Sequence, residues 1–402
     1  MKRVAIVGAS LAGWHAAKAL RREGFDGTLT LIGAEPHRPY DRPPLSKEYL
    51  AGSADEDKLS LAGALDDDLD VTWRLGQPAT GLDLAGRVVH LADGTNEAFD
   101  GLVIATGGTP RMVAEPSRGM AGVHVLRTLD EARALRAELD AVPGRVVVVG
   151  AGFIGAEVAA TCRGRGLPVT ILEALPVPLA RALGPEIGAA CADVQRDHDV
   201  DLRLGAGVDR LEGGARVERV VLSDGSVIDA DVVVVGVGVR PATEWLEGSG
   251  LTLDDGIVCD ATCLAAPGVV AAGDVARWPN AAFGGEVMRV EHWDNAIEMG
   301  GYAARRLLGG DAWRADEPFA PIPWFWSDQY DRKLQLAGRA HPDDEVVVID
   351  GSVAERRFAA AYGRAGRLVA VFGMNRPRQV MQFRSLIGQE GSWDEVLRSR
   401  SG

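Results

Sequence analysis

Twice along this chain an apolar strand runs into a glycine-rich turn that opens a helix. The second occurrence falls inside the unit that the first one begins. The first is "RVAIV" followed by "GASLAG", Gly8 to Gly13, and then "WHAAKALRREG". This is the G-x-G-x-x-G fingerprint of a dinucleotide cradle with Ser10 in place of the middle glycine. Gly8 is expected to make the tight turn and Gly13 to let helix and strand pack closely. The backbone N–H groups of the helix start are then expected to face a pyrophosphate. The following strand, "TLTLIGAE", ends at Glu35, an acid placed to accept hydrogen bonds from an adenosine ribose. The second cradle is "RVVVVGAGFIGAEVAATCRGRG", with Gly150, Gly152 and Gly155 in the fingerprint and Phe153 and Ile154 between them. Its next strand, "PVTILE", ends at Glu173. A carboxylate there binds ribose hydroxyls and repels a 2′-phosphate, so NADH is expected over NADPH. Arg181, eight residues on, is a candidate for the pyrophosphate.

Two cradles imply two dinucleotides, and chain order implies nesting. Between the cradles lies a strand ending in Ala105-Thr106-Gly107-Gly108. After the second come "DVVVVGVGVRP", containing Gly238, and "GVVAAGDVARW". The last is a strand ending in Gly273-Asp274, where a strand-end acid can reach a ribityl hydroxyl of a flavin. The expected division is therefore a discontinuous first domain, residues 1–113 and 239–315, an inserted domain 114–238, and a third domain 316–402. A chain of 402 residues agrees with two or three domains.

The third domain opens with "PWFWSDQYDRKLQLAG", Pro323 to Gly338, in a chain with only 6% aromatic residues. Strand alternation puts Trp324 and Trp326 on one face and Phe325 on the other. Asp328 and Gln329 are expected to fix the turn that aims the strand. Near the first ribose acid, "YDRPPLSKEYL" carries the cations Arg42 and Lys47 around a stretch stiffened by Pro43 and Pro44.

Composition excludes several classes. The net charge of −14 argues against general nucleic-acid binding. No apolar run is long enough to span a bilayer, and the N-terminus reads as a first strand rather than a signal peptide. The cytoplasm is the expected location. The four cysteines, Cys162, Cys191, Cys259 and Cys263, form no C-x-x-C pair, so no zinc or other metal site is suggested. Cys259 and Cys263 in "CDATC" read as half-buried strand-end thiols. From residue 351 onwards nine Arg and no Lys stand against four acids, a net +5 that leaves −19 for the rest. That tail, with Arg376 and Arg378 in "NRPRQ", is expected to steer an acidic partner.

The set GASLAG, RPPLSK, ATGG-x-PR, GAGFIGAE, GVGVRP, AAGDVA, E-H-W-x-N-A and PWFWSDQYD resembles the FAD-dependent ferredoxin reductases. Those serve bacterial cytochrome P450 systems and Rieske-type ring-hydroxylating dioxygenases. The resemblance covers essentially the whole chain. It implies an α/β, glutathione-reductase-like architecture with an FAD domain, an inserted NAD domain, both Rossmann-type, and a C-terminal α+β domain. It implies that Lys47 lies beside the flavin and pairs with Glu157, which contacts the nicotinamide carboxamide. It also implies FAD contacts for Arg42, Arg127, Ala12, Ala79, Asp274 and Trp293, and places an aromatic, Trp326, over the flavin and nicotinamide. His292, just before Trp293, reads as structural, because hydride transfer from NADH needs no general acid.

From Met1 to Thr161 there is no cysteine, so electrons leaving a flavin have no thiol relay. The leading expectation is an NADH:ferredoxin oxidoreductase whose partner is a small [2Fe–2S] or [3Fe–4S] ferredoxin. The resemblance is compatible with a monomer or a homodimer. Two alternatives stay open: an NADH oxidase, and an apoptosis-inducing-factor-like flavoprotein acting through partners.

Overall fold

The computed structural model describes residues 1–61, 69–113, 119–313 and 316–399. Two of the expected domain boundaries, at 113/114 and 315/316, adjoin residues outside that set. By their contacts the described residues divide into two compact units. One comprises Met1–Asp41, Leu59–Thr109 and Arg240–Pro323. The other comprises Arg42–Lys58, Pro110–Val239 and the chain from Trp324 on.

The first unit is built on a six-stranded sheet. Its order is Leu264–Ala266, Val269–Ala271, Gly101–Ile104, Arg3–Val7, Thr28–Gly33 and Val71–Leu75. All neighbours are parallel except the pair formed by Leu264–Ala266 and Val269–Ala271. Both faces are covered, so the central strands read as continuous apolar runs; Val4, Ala5 and Ile6 are all buried. The helix Leu11–Arg22 packs against the helix Trp293–Gly309. A Cβ on Gly300 would come 2.3 Å from the carbonyl oxygen of Ala12. Glycine there is what lets the two backbones approach. The chain leaves the central strand towards one neighbour and returns on its other side, which creates the switch point where α/β sheets bind ligands.

The second unit repeats this plan. Five parallel strands run in the order Asp201–Leu204, Val169–Glu173, Val146–Val149, Val232–Val235 and Val123–His124. The helix Phe153–Gly164 follows the central strand. The same unit holds a five-stranded antiparallel sheet ordered Trp324–Gln329, Arg332–Gly338, Arg367–Met374, Arg357–Arg364 and Glu345–Ser352. One face of it buries Leu334, Leu336, Phe358 and Phe372 with Leu183, Ile187 and Val194 of the helix Ala180–Arg196. The helix Pro377–Gly388 lies on the sheet elsewhere, close enough that a Cβ on Gly373 would meet Val380 at 2.5 Å.

Two expectations need revision, and the charge of the tail is shared with the rest of the chain. Cys259 and Cys263 are 5% and 0% exposed rather than half-buried, and burial pushes the Cys259 thiol up to about 12. Gln329 does not shape the hairpin turn. The last paired residues are Gln329 and Arg332, so Tyr330 and Asp331 make the turn, with Tyr330 in the left-handed region at φ 55°. Asp328 instead pairs with Lys333 across the hairpin at 2.7 Å. Part of the tail's positive charge is answered in place. Arg356 pairs with Asp193 and Asp197, Arg364 with Asp344, and Arg376 with Asp350. Arg378 is exposed.

Candidate active site

In the first unit the cradle has the geometry its glycines require. Gly8 sits at φ 120°, and a Cβ on it would fall 2.1 Å from the oxygen of Ala105. A Cβ on Gly13 would fall 1.9 Å from the oxygen of Gly8. Ser10 is the residue before the helix, with extended backbone (φ −127°, ψ −161°), so a side chain is tolerated at that point. Ala12 is buried beneath the turn and would lie 3.0 Å from a Cβ on Gly273, which has φ 74°. Ala105 closes the neighbouring strand end, with its N–H donating to Val7 O at 2.7 Å. The Thr106 hydroxyl donates to Ala242 O at 2.9 Å, and Gly107 O accepts from Ala242 N at 2.9 Å. Glu35 is half-buried at the end of the second strand and accepts the Tyr40 hydroxyl at 2.5 Å. Ala79 opens the strand Ala79–Asp83. Asp274 is half-buried next to Gly273, and its carbonyl accepts from Arg289 at 3.2 Å. Trp293 begins its helix and donates Nε1–H to Asp41 at 2.7 Å. His292 is the residue before that helix.

The second cradle is tighter. A Cβ on Gly155 would come 2.1 Å from Gly150 O, and Gly150 has φ 101°. Gly152 is different. Its φ of −72° suits any residue, and the nearest atom to an added Cβ is Gly236 O at 3.9 Å. Nothing in the polypeptide demands glycine there, and the helix it precedes has no side-chain cap. Open space and uncapped N–H groups at a helix N-terminus are what a pyrophosphate needs, so the residues present fit a dinucleotide. Glu173 is aimed by the loop itself. One carboxylate oxygen accepts Ala151 N–H at 3.0 Å and the other accepts Leu175 N–H at 2.9 Å. The Phe153 ring is taken up against Phe325, centroids 4.6 Å apart and nearly edge-on. Ile154 beside it is 48% exposed. Gly238 has φ 97° and open space around it, and its carbonyl accepts Arg111 N–H at 2.9 Å. Arg181 is exposed near the start of its helix.

The same unit brings Lys47 to Glu157. The segment Arg42–Lys58 is fastened to the cradle helix by the Thr161 hydroxyl, which donates to Ser46 O at 2.7 Å, and by Arg165, which donates to Leu50 O at 2.9 Å. Leu50 is fully buried in the core of the parallel sheet. This attachment places Lys47 Nζ 3.1 Å from Glu157 Oε2, with side-chain exposures of 13% and 4%. Glu157 also accepts the Ser46 hydroxyl at 2.5 Å and the Ser327 hydroxyl at 2.8 Å. A buried carboxylate with one cation and two hydroxyl donors is satisfied in its charged form. Arg42, in the same segment, donates to the carbonyl of Arg127, so these two candidates meet.

The aromatic strand divides as its alternation requires. Trp324 and Trp326 stack on each other at 5.2 Å and 27°. Phe325, Ser327 and Gln329 turn the other way, into the interior. Sequence reasoning singled out Lys47, Glu157 and Trp326 but missed Ser46 and Ser327. Strand alternation would have paired Ser327 with Phe325 on the inner face, and a buried serine there is the signal.

Known proteins resemble this chain throughout. The family described as pyridine nucleotide-disulphide oxidoreductase matches residues 2–300, and the reductase C-terminal family matches residues 324–397. Rhodocoxin reductase of Rhodococcus erythropolis is 39% identical, over 96% of this chain and 90% of its own. The ferredoxin reductase for the CYP199A2 system of Rhodopseudomonas palustris superposes with a TM-score of 0.91 at 39% identity, covering 98% of this chain and 96% of that one. The covalent putidaredoxin reductase–putidaredoxin complex gives 0.90 at 33% identity, covering 100% and 99%. Among the described residues no helix is long and apolar enough to cross a membrane.

Proposed function

Because the chain belongs to the pyridine nucleotide-disulphide oxidoreductase family, in its ferredoxin reductase branch, we propose that it oxidises NADH and reduces a small iron–sulfur ferredoxin that supplies a cytochrome P450 or Rieske-type oxygenase. The protein is an oxidoreductase of FAD and a pyridine nucleotide. The observation that carries the reading is the buried Lys47–Glu157 pair, held one turn into the helix of the second cradle.

Bound FAD supplies the exchange between hydride and single-electron chemistry. The chain's residues do the rest. Gly8, Ser10, Ala12 and Gly13 receive the FAD pyrophosphate, and Glu35 the adenosine ribose. Arg42, Ala79, Ala105, Thr106, Gly107, Arg127, Gly273, Asp274 and Trp293 complete the FAD set. Gly150, Gly152, Phe153, Ile154, Gly155, Glu173, Arg181 and Gly238 hold NADH. Glu157 orients the nicotinamide, Lys47 balances its charge and favours negative charge on the flavin, and Trp326 covers the reacting rings. The lack of cysteine before Cys162 removes the thiol relay that a disulfide reductase needs, so electrons pass straight to the partner. We assign residues 1–113 and 239–315 to FAD, 114–238 to NAD and 316–402 to the third domain. The segment Arg42–Lys58 packs with the NAD part.

The test is NADH-driven cytochrome c reduction with and without an added [2Fe–2S] ferredoxin. Strong stimulation by ferredoxin is expected. Oxygen consumption at full rate with no stimulation would instead mean an NADH oxidase. The preference for NADH rests on Glu173. Because both its oxygens are held by backbone N–H groups, Glu173→Arg also loosens the loop. NADH affinity is expected to fall about 30-fold, roughly 2 kcal/mol, while NADPH gains less than that. Titration of both nucleotides reads this directly, and unchanged selectivity removes Glu173 from the ribose site.

A further inference from the structure

The inner side of the aromatic strand carries more than one hydroxyl. Gln329 Nε2–H donates to Ser327 Oγ at 3.1 Å. Gln195 Nε2–H donates to Gln329 Oε1 at 2.9 Å, and the Tyr330 hydroxyl donates to Gln195 Oε1 at 2.9 Å. With Ser327 donating to Glu157 Oε1 at 2.8 Å, four hydrogen bonds run in one direction and end on the carboxylate. Glu157, Gln195, Ser327 and Gln329 are each no more than 3% exposed, so none of these groups exchanges its partner for bulk water.

The outer end is fixed as firmly. The Tyr330 ring lies flat on His198, with centroids 3.8 Å apart and planes at 9°. His198 Nδ1–H donates to Val194 O at 2.8 Å; a carbonyl only accepts, so that nitrogen carries the proton. The ring is thereby tied to the helix that bears Gln195. Burial pushes the Tyr330 phenol well above its usual value, which keeps it a donor.

Direction is the point. A serine hydroxyl has one hydrogen and rotates. Because Gln329 donates to its oxygen, that hydrogen is left for Glu157. If both amides turned over, Gln329 would present its oxygen to Ser327, draw the hydroxyl hydrogen away and leave Glu157 Oε1 without it. An ionised acceptor at the inner end favours the first arrangement, and bonds aligned in a chain reinforce one another.

We infer that Gln329, Gln195 and Tyr330 are positioning residues for Glu157: through Ser327 they hold its carboxylate turned to Lys47 for the hydride step. This rests on the reading of Lys47 and Glu157 as the hydride-transfer pair. None of the three touches the reacting atoms; their effect is on where Glu157 points.

The experiment mixes FAD-loaded protein rapidly with NADH and follows loss of the flavin's visible absorbance, giving a limiting rate and an apparent Kd. Glu157→Gln, Gln329→Leu, Gln195→Met and the pairing of Glu157→Gln with Gln329→Leu are compared. Gln329→Leu and Gln195→Met are each expected to lower the limiting rate about tenfold and to leave the apparent Kd within about twofold. In the Glu157→Gln background, Gln329→Leu is expected to add less than twofold, because its only route to the reaction is already cut. If Gln329→Leu does not accumulate as folded protein, Ser327→Ala against Ser327→Thr carries the same test: the alanine variant slow, the threonine variant, which keeps the hydroxyl, near normal. A wild-type limiting rate in Gln329→Leu, or an equal loss in both backgrounds, overturns the inference alone. A wild-type rate in Glu157→Gln overturns the reading of the pair, and the inference with it.

Discussion

Lys47→Met is expected to destabilise the protein by about 3 kcal/mol and to stop NADH oxidation. The lysine and its partner are both largely removed from water, at 13% and 4% side-chain exposure. Deleting one member of a buried pair leaves an uncompensated charge, which typically costs about 3–5 kcal/mol. The hydroxyls of Ser46 and Ser327 stay within 2.5 and 2.8 Å of Glu157 and recover part of that, which sets the estimate at the low end. A double change, Lys47→Met with Glu157→Leu, removes both charges and is expected to regain most of the stability while activity stays absent. Thermal unfolding of the three proteins decides it. If Lys47→Met melts with the wild type, the pair is not holding the segment Arg42–Lys58 to the cradle helix.

Gly155→Ala is expected to prevent folding of the second cradle, and Gly152→Ala to leave folding intact while weakening NADH binding about tenfold. The two glycines are three residues apart and do different work. A Cβ on Gly155 meets Gly150 O at 2.1 Å and Val148 Cγ1 at 3.2 Å. The first contact is with backbone, which does not yield as a flexible side chain does, and a loss above about 4 kcal/mol follows. A Cβ on Gly152 has 3.9 Å of clearance and a φ of −72°. Alanine there costs nothing in the polypeptide and stiffens the unfolded chain, for a gain of up to about 1 kcal/mol. Its cost falls on whatever the loop receives. Soluble yield and melting temperature, read beside nucleotide titration, separate the two outcomes. A Gly152→Ala protein that binds NADH with wild-type affinity would remove that residue from the phosphate site.

What the sequence made legible was local geometry. Each cradle is one strand, one turn and one helix start, so Gly8, Gly13, Gly150 and Gly155 could be assigned from spacing, and Glu35 and Glu173 from strand ends. The division of Trp324 and Trp326 from Phe325 followed from alternation alone. What stayed hidden was assembled from distant parts. Ser46 and Ser327 reach Glu157 across 111 and 170 positions of chain, and a lone serine or glutamine carries no pattern. Gln329 was expected to fix the turn, yet its strand parity already matched buried Ser327. The acid partners of the arginine-rich tail stayed hidden for a related reason. Counting its nine arginines ignored Asp193, Asp197, Asp344 and Asp350, which lie before it in sequence and against it in space.

The attachment of Arg42–Lys58 to the cradle helix bears on how such proteins can be re-engineered. An inserted nucleotide domain looks like a cassette, cut out at two points and exchanged for one of another specificity. Here the excised piece, roughly 110–239, would carry Glu157 away from Lys47, Ser46, Ser327 and Gln329, which are encoded in two other stretches. A chimera made that way sets a buried acidic side chain against foreign partners. A graft that keeps cofactor switching separate from the reaction has to take three pieces of chain, or none beyond the ribose strand itself.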